Sequence, residues 1–258
     1  DKSYDLKYET GVRICILTAN FLECDFNHLT QGIVVHDFPF LSDNKQFEEN
    51  DSFASKEFYQ PLIEYLQRVD PMSQEARSKL KRMITTLRCC DYSGVNIALV
   101  PSVPGKHLAS NRKWGHLRLE YLLQRYGEIE ESGENFEEIT HEAVVLQVSS
   151  IGSLGVNEKY LTELKSSLLK DLPRSQLSLI STELVWPTVN CIRESTIGYI
   201  SGSSIPLHSQ IIEENNHIKQ GFSSILRQWI GELPGRKRFP PHMKCYFRYK
   251  VKEKDFHL

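Results

Sequence analysis

Apolar, β-branched runs alternate with amphipathic segments through the second half of the chain, and this alternation constrains the fold most. The predicted strands are residues 143–148, 177–184 and 243–249, and the predicted helices are 158–170, a short one from Pro187, and 210–230. Strands separated by helices are typical of parallel βαβ units, because a parallel connection must cross back over the sheet. We therefore predict an α/β fold with mainly parallel sheets flanked by helices.

The first half of the chain carries elements of the same kind. Residues 11–19, GVRICILTA, predict a buried strand that ends at the polar Asn20. Further predicted elements are helices 56–69, 73–87 (N-capped by Ser73) and 115–126, a turn at 91–94 and a strand at 96–100. Because 258 residues can bury two cores, we predict two lobes, 1–95 and 96–258.

Composition excludes several classes of protein. The formal net charge is −2 and a quarter of the residues are charged, as in ordinary globular proteins. No run approaches the roughly 20 apolar residues that cross a bilayer, and no leader pattern opens the chain. The six scattered cysteines lack CxxC or Cys/His metal spacing and predict reduced thiols. We expect a soluble, intracellular protein with no membrane partner.

Positive charge is concentrated in residues 235–254, GRKRFPPHMKCYFRYKVKEK, which hold eight Lys or Arg against one Glu. Clustered Lys and Arg can neutralise nucleic-acid phosphates. Runs of this kind are more often solvated faces. Composition alone leaves both interpretations open.

His242 and Lys244 lie within this run, at the start of the last predicted strand. Residues two apart in a strand project from the same face, so an imidazole and an ammonium would stand side by side. The imidazole can transfer protons or attack phosphorus, and the ammonium can neutralise phosphate oxygens. The alternative is a partly exposed histidine in a basic edge strand, which is the commoner meaning of an isolated HxK.

Three further segments carry groups suited to binding phosphate. The loop QVSSIGSLG offers Ser149, Ser150 and Ser153 directly after an apolar strand. The segment SGSSIP (201–206) includes Ser204, and the neutral amide side chains of Asn20 and Gln31 lie near the end of the first strand. Each segment taken alone also fits ordinary turn chemistry.

These segments occur in the order and approximate spacing of the tyrosyl-DNA phosphodiesterases, a family that the chain resembles over nearly its whole length. The stretches that carry the resemblance are TANFLECDFNHLTQGI, KWGHLRL, VSSIGSLG, GSSIP and PHMKCYFR. The resemblance implies two pseudo-symmetric phospholipase D-like α/β lobes, both incomplete in this chain, with the active-site cleft between them. It also implies that neither metal nor cofactor is needed.

The family's chemistry supplies an expected role for each candidate residue. The first motif's histidine would attack the phosphorus that joins a DNA 3′ end to a topoisomerase I tyrosine, forming a phosphohistidine. His242 would protonate the leaving tyrosine and then activate water, while Lys244 and Lys2 would stabilise the phosphoryl charge. Asn20 and Gln31 would serve the site, and Ser150 and Ser204 would contact DNA, single- or double-stranded.

The match at the two ends of the chain is incomplete. Counting back from Tyr8 places Lys2 on the first motif's lysine, so the nucleophilic histidine would precede residue 1, and the Asn and Glu of the second half-site would follow Leu258. The sequence is thus either a fragment of an active enzyme or a catalytically inactive DNA-end-binding module. No Asp stands where HxKxxxxD phosphodiesterases have one, which favours the tyrosyl-DNA branch. The resemblance implies a nuclear DNA repair enzyme.

Overall fold

The computed structural model describes residues 2–42, 45–108, 110–127, 139–150, 159–169, 180–206, 224–232 and 235–252. It divides into two compact units. The first unit contains Asp1–Leu17 and Ile33–Tyr126, and the second contains Thr18–Gly32 and Gly127–Leu258. This division differs from the predicted lobes 1–95 and 96–258, because the segment up to Tyr126 packs with the first unit and an internal segment of the first half packs with the second.

The first unit is built on a three-stranded sheet of β1 (Lys2–Lys7), β2 (Gly11–Leu17) and β3 (Ile33–Pro39), in the order β1-β2-β3. Both pairs of strands are antiparallel, in contrast to the mainly parallel pairing expected from the sequence. The physical reason for the first pair is the length of its connection. Residues 8–10 form a tight turn, closed by a 2.8 Å bond from the Tyr8 amide to the Gly11 carbonyl, and so short a link permits only an antiparallel pair.

Helices complete the first unit. A turn of π-helix at Ala54–Tyr59 leads into α2 (Gln60–Arg68), and α3 (Gln74–Arg88) and α4 (Gly115–Tyr126) follow. The predicted N-cap of α3 is confirmed, since the Ala76 amide donates to Ser73 Oγ at 3.1 Å. The strand predicted at 96–100 is absent. There the Leu99 amide donates to the Glu57 carbonyl at 2.7 Å, so the segment is held by the π-helical turn and not by a sheet.

The core of the first unit is aromatic. Phe38 of β3 packs on Phe58 and Tyr92 with ring centroids 5.4 and 4.8 Å apart. All three side chains are almost fully buried, and the Tyr92 hydroxyl donates to the Leu87 carbonyl at 2.9 Å. Burial of large rings with a satisfied hydroxyl provides much of the hydrophobic stabilisation of such a core.

The first unit also buries an ion pair. Arg118 of α4 donates from Nη2 to Glu57 Oε2 at 2.5 Å, and the Tyr126 hydroxyl donates to Oε1 of the same carboxylate at 2.7 Å. Arg118 and Glu57 are both buried. The cluster therefore fastens α4 to the π-helical turn through charges that have been removed from water.

Gly11 lies where β2 approaches β3 too closely for a side chain. A Cβ added there would stand 2.3 Å from the Phe38 carbonyl oxygen and 2.9 Å from Pro39 Cα, both backbone atoms. Because backbone cannot move aside cheaply, we expect Gly11→Ala to lower the free energy of unfolding by about 1–3 kcal/mol. Urea unfolding measures this, with Gly94→Ala as the control because no atom lies within 4 Å of its Cβ position. Equal effects of the two variants would contradict this account.

The second unit contains a mixed four-stranded sheet in the order β6-β5-β4-β7. Its strands are β4 (Ile139–Gln147), β5 (Ser181–Trp186), β6 (Leu226–Gln228) and β7 (Cys245–Lys252). The pair β4/β5 is parallel, as predicted, and β5/β6 is parallel as well, whereas β7 runs antiparallel to β4, in contrast to the prediction. Ala143 and Val144 of β4 point to opposite faces and are both fully buried, which indicates that the sheet is covered on both sides.

Short helices of the second unit are α1 (Glu23–His28), α5 (Lys159–Leu168), α6 (Val189–Arg193) and a 3₁₀ turn at Gly198–Ser204. The helix predicted at 210–230 does not extend to its expected end, because Leu226–Gln228 form β6. The part of that prediction at 210–223 lies outside the described residues. Among the residues that the structure describes, no helix is long and apolar enough to cross a membrane.

Candidate functional site

The approach to β7 brings His242 and Lys244 to one edge of the second unit's sheet. Cys245 opens β7 opposite Gln147, the last residue of β4, and Gln147 in turn pairs with β5 near its carboxyl end. The motif therefore lies at the edge where the parallel strands end. This edge is where open α/β sheets bind their ligands, because loops and side chains converge there.

A backbone bridge fastens His242 to the segment that follows β2. Thr30 donates its amide to the Pro240 carbonyl at 2.9 Å and accepts the His242 amide on its own carbonyl at 2.9 Å. The Thr30 hydroxyl adds a bond to the Phe239 carbonyl at 2.8 Å. Three bonds thus fix the position of the histidine, whose side chain is almost completely buried.

Gln31 lies against the Nδ1 side of the His242 ring. Thr18 Oγ1, which accepts the Gly32 amide at 2.8 Å, donates to Gln31 Oε1 at 2.8 Å, and Gln31 Nε2 donates to the Asp25 carbonyl at 3.0 Å. The oriented amide places Nε2 3.0 Å and Oε1 3.2 Å from Nδ1. Nε2 can donate to Nδ1 of the neutral ring, and Oε1 can accept from the protonated ring. Gln31 can therefore hydrogen-bond to the His242 ring in both of its protonation states.

Asn20 lies on the other side of the ring. Its side-chain Nδ2 is 3.4 Å from His242 Nε2, and its main-chain N–H donates a short hydrogen bond to Asp25 Oδ2. Asp25 is completely buried, and its Oδ2 is 3.9 Å from His242 Nδ1. A buried carboxylate is stable only with hydrogen-bond or charge partners, and this one is placed among both.

Lys244 presents its ammonium to the same imidazole. Nζ donates to the His242 carbonyl at 2.6 Å and to the Thr18 carbonyl at 3.2 Å. It is 3.3 Å from Nδ1 and 3.2 Å from Nε2 of the ring. The lysine is exposed while the histidine is buried, so the motif offers a shielded proton carrier beside a solvent-facing positive charge.

The arrangement suits proton transfer to and from a phosphoryl group. The side-chain amide of Gln31 can both donate and accept a hydrogen bond at one nitrogen of the ring. A histidine with such a partner can act first as an acid and then as a base. A fixed ammonium and an amide N–H₂ can bind oxyanions as negative charge develops. The structure thus brings together four of the sequence candidates, His242, Lys244, Asn20 and Gln31.

The remaining candidates are placed less decisively. Ser150 is exposed in the loop after β4, whereas Ser149 is buried and Ser153 lies outside the described residues. Ser204 is half-buried at the end of the 3₁₀ turn Gly198–Ser204. Lys2 opens β1 opposite Leu17, and its side chain lies outside the described part. Roles in substrate binding for these residues stay predictions.

Several of the basic side chains in residues 235–254 make local contacts. Arg236 lies over the Phe239 ring, Lys237 pairs with Glu232 at 2.7 Å, and Arg238 donates to the Glu194 carbonyl at 3.3 Å. The Glu232 carboxylate raises the pKa of Lys237 above its usual value. These contacts give much of the run a structural role. Among its described basic side chains, Lys244 contacts the His242 ring.

The sequence did not identify Thr18 or Asp25 as residues of the site, and it did not identify the bridging role of Thr30. Asp25 stands two positions after Glu23 in a polar helix, and nothing in that pattern separates the buried carboxylate from the exposed one. A signal for Thr18 was available, since it belongs to the polar group that ends the β2 run. Only tertiary contacts reveal that these side chains orient Gln31 and Asn20.

All six cysteines are free thiols, which confirms the prediction from their spacing. Burial raises the pKa of Cys245, next to Lys244, and of Cys191. A raised thiol pKa lowers the thiolate fraction and therefore the reactivity of these residues. Cysteine chemistry at the site is disfavoured on this ground.

Comparisons with known proteins agree with this geometry. The sequence model of the family described as Tyrosyl-DNA phosphodiesterase matches residues 5–257. Tyrosyl-DNA phosphodiesterase 1 of Arabidopsis thaliana is 30% identical over 96% of this chain and 39% of its own length. The Drosophila melanogaster protein of the same name is 28% identical over 97% and 41%. The chain spans about two fifths of the length of these relatives.

The fold is shared with a solved structure. The crystal structure of the yeast tyrosyl-DNA phosphodiesterase superposes with a TM-score of 0.65, at 17% identity, over 95% of this chain and 55% of that one. The class that the fold defines is therefore a mixed α/β protein with the fold of that structure. The chain belongs to the tyrosyl-DNA phosphodiesterase family.

Proposed function

We propose that the protein hydrolyses the phosphodiester between a DNA 3′ end and a tyrosine, as a DNA repair enzyme. The observation that carries the proposal is the contact of buried His242 with Gln31, Asn20 and Lys244 in a chain of this family. A tyrosine is a poor leaving group because its phenol has a pKa of about 10. A shielded acid next to an oxyanion-binding charge meets that difficulty.

In the first step a nucleophile attacks phosphorus and the bond to the tyrosyl oxygen breaks. The family resemblance assigns the nucleophile to a histidine upstream of Asp1, which would leave a phosphohistidine on the enzyme. His242 would give a proton to the departing phenolate from Nε2, the nitrogen that lies near Asn20. Lys244 Nζ would stabilise the charge on the phosphoryl oxygens.

In the second step water replaces the enzyme's histidine on phosphorus. His242, neutral after the first step, would take a proton from that water and return to the imidazolium. Gln31 serves both stages because its Oε1, 3.2 Å from Nδ1, can accept the Nδ1–H that the ring keeps before and after the Nε2 proton is transferred. The product would be a DNA 3′-phosphate.

The finer assignments belong to the same proposal. Ser150 and Ser204 would contact the DNA strand, and Lys2 would act with the upstream histidine. The substrate would be a 3′ end that carries a topoisomerase I-derived peptide, and the reaction would take place in the nucleus. No metal ion or cofactor would be required. Family resemblance supports these points.

The test uses a single-stranded oligonucleotide with a 3′-phosphotyrosine, incubated without metal and read on a gel. It compares this chain with a form extended upstream through the expected His-x-Lys motif. Release of a 3′-phosphate end by the extended form would support the proposal. Binding without cleavage by both forms would instead support the alternative, a catalytically inactive DNA-end-binding module.

Gln31→Leu tests the amide that contacts Nδ1. The leucine is close in size but cannot hydrogen-bond to the ring, so we expect kcat to fall about tenfold, as for the loss of one hydrogen bond at the reacting histidine. KM should change little, because Gln31 contacts the histidine and not the DNA. Gln228→Leu, at an exposed position of β6, is the matched control. An unchanged kcat for Gln31→Leu would remove this residue from the mechanism.

A further inference from the structure

We propose that Asp25 is a positioning residue for His242: it holds the turn that presents Asn20, and its charge offsets that of Lys244 at the imidazole. The inference rests on the proposed function for its catalytic consequence. Its electrostatic part stands on the geometry of the second unit alone.

The first observation is the burial of Asp25 among fixed groups. Its side chain has no exposed surface, and Oδ2 accepts the amide N–H of Asn20. Its main-chain N–H donates to the Leu22 carbonyl at 3.0 Å, and its main-chain carbonyl accepts Gln31 Nε2 at 3.0 Å. A single residue therefore bonds to the main chain of Asn20 and to the side-chain amide of Gln31, the two residues whose side chains flank the His242 ring.

The second observation is a strained backbone in the turn that Asp25 closes. Phe21 has φ 61°, a left-handed conformation that is uncommon for a non-glycine residue. Such conformations persist only where surrounding contacts hold them, and they are concentrated at functional sites. Here the bonds from Asp25 to the chain on either side of Phe21 hold it. The strain serves to place Asn20 against His242 Nε2.

The third observation is the pair of opposite charges at the ring. Lys244 Nζ is 3.2 and 3.3 Å from the two ring nitrogens, and Asp25 Oδ2 is 3.9 Å from Nδ1. Gln31 and Asn20 are neutral amides, and the Cys24 thiol lies 3.9 Å from Asp25 Oδ1. The ammonium disfavours a protonated imidazole, whereas the buried carboxylate favours it.

A general acid for tyrosine must hold its proton near neutral pH. The positive charge of Lys244 by itself disfavours a proton on the His242 ring. Asp25 restores the protonated form without donating a hydrogen bond to the substrate. After proton transfer the same carboxylate favours recovery of the proton from water.

The experiment uses the form extended upstream through the expected His-x-Lys motif and compares Asp25→Asn with Glu23→Gln, which removes the same charge from an exposed position of α1. Asparagine keeps an oxygen for the Asn20 amide, so the charge is what changes. With a 3′-phosphotyrosine substrate we expect Asp25→Asn to lower kcat about tenfold or more. The alkaline limb of its pH profile should move to lower pH. With a 3′-(4-nitrophenyl) phosphate, whose leaving group needs little protonation, the rate of nitrophenol release in the first turnover should fall by less than about threefold.

These outcomes separate the inference from the proposed function. Equal losses on both substrates with an unmoved pH profile would mean that Asp25 is only structural, and an unaffected kcat would also overturn the inference. If the extended form with Asp25 intact cleaves neither substrate, the proposed function fails and ¹⁵N NMR titration of the His242 ring still tests the charge effect. We expect the wild-type ring to be mostly protonated at about pH 6, despite Lys244. A neutral ring there overturns the inference even if Asp25→Asn does not fold.

Discussion

In the form extended upstream through the expected His-x-Lys motif, replacement of His242 by alanine should lower kcat on a 3′-phosphotyrosine oligonucleotide by about 10²–10⁴-fold, the usual contribution of general acid–base catalysis. The change removes the proton donor for the tyrosine and the base for water in one step. Binding of the oligonucleotide should persist, because Lys244 and the neighbouring backbone remain. Steady-state cleavage assays give kcat, and fluorescence anisotropy gives the dissociation constant of the DNA.

The control is His107→Ala, since His107 is exposed in the first unit and bonds only locally to the Val103 carbonyl at 2.7 Å. A substrate with a 4-nitrophenyl leaving group adds a second discrimination. In His242→Ala this substrate should restore much of the rate of the first step. Hydrolysis of the phosphohistidine should stay slow, so the covalent intermediate should accumulate. A variant that cleaves both substrates at the wild-type rate would contradict the assigned role.

The largest effect on stability is expected from Arg118→Met. Methionine fills much of the arginine's volume but leaves the buried Glu57 carboxylate without its charge partner, and breaking one side of a buried pair costs about 3–5 kcal/mol. Glu57 retains the Tyr126 hydroxyl at 2.7 Å, which places the expected loss toward the lower end. Chemical denaturation with urea measures the change in the free energy of unfolding.

The matched control is the exposed pair Lys113–Glu64 in the same unit, with Nζ and Oε1 2.7 Å apart. Lys113→Met should cost no more than about 1 kcal/mol, because solvent screens exposed pairs. The double variant Arg118→Met with Glu57→Leu should regain stability relative to Arg118→Met, since no buried charge is then left alone. A double variant less stable than Arg118→Met would show that packing and not charge holds α4.

The positions of β4, β5 and β7 were predictable because their apolar runs are bounded by helical segments, and the parallel pairing of β4 with β5 was predicted too. The antiparallel direction of β7 and the strand β6, which lies within the predicted helix 210–230, were not. The antiparallel sheet of the first unit was not predicted either. A strand such as β2 has the same composition whether its partners run parallel or antiparallel to it. The direction of its partner β1 depends on the turn at residues 8–10. The ion pair of Arg118 with Glu57 was equally hidden, since it joins residues far apart in the chain.

By itself the sequence determined the family, the His-x-Lys motif and four of the side chains of the candidate site, because each occurs in a local pattern matched over nearly the whole chain. Tertiary structure alone decided what surrounds His242. Asp25 and Glu23 are indistinguishable acidic residues of one short helix, yet one is buried at the imidazole and the other faces solvent. The physical reason is that burial and charge at a site are set by contacts between distant segments, here 18–32 and 239–244, which no local pattern encodes.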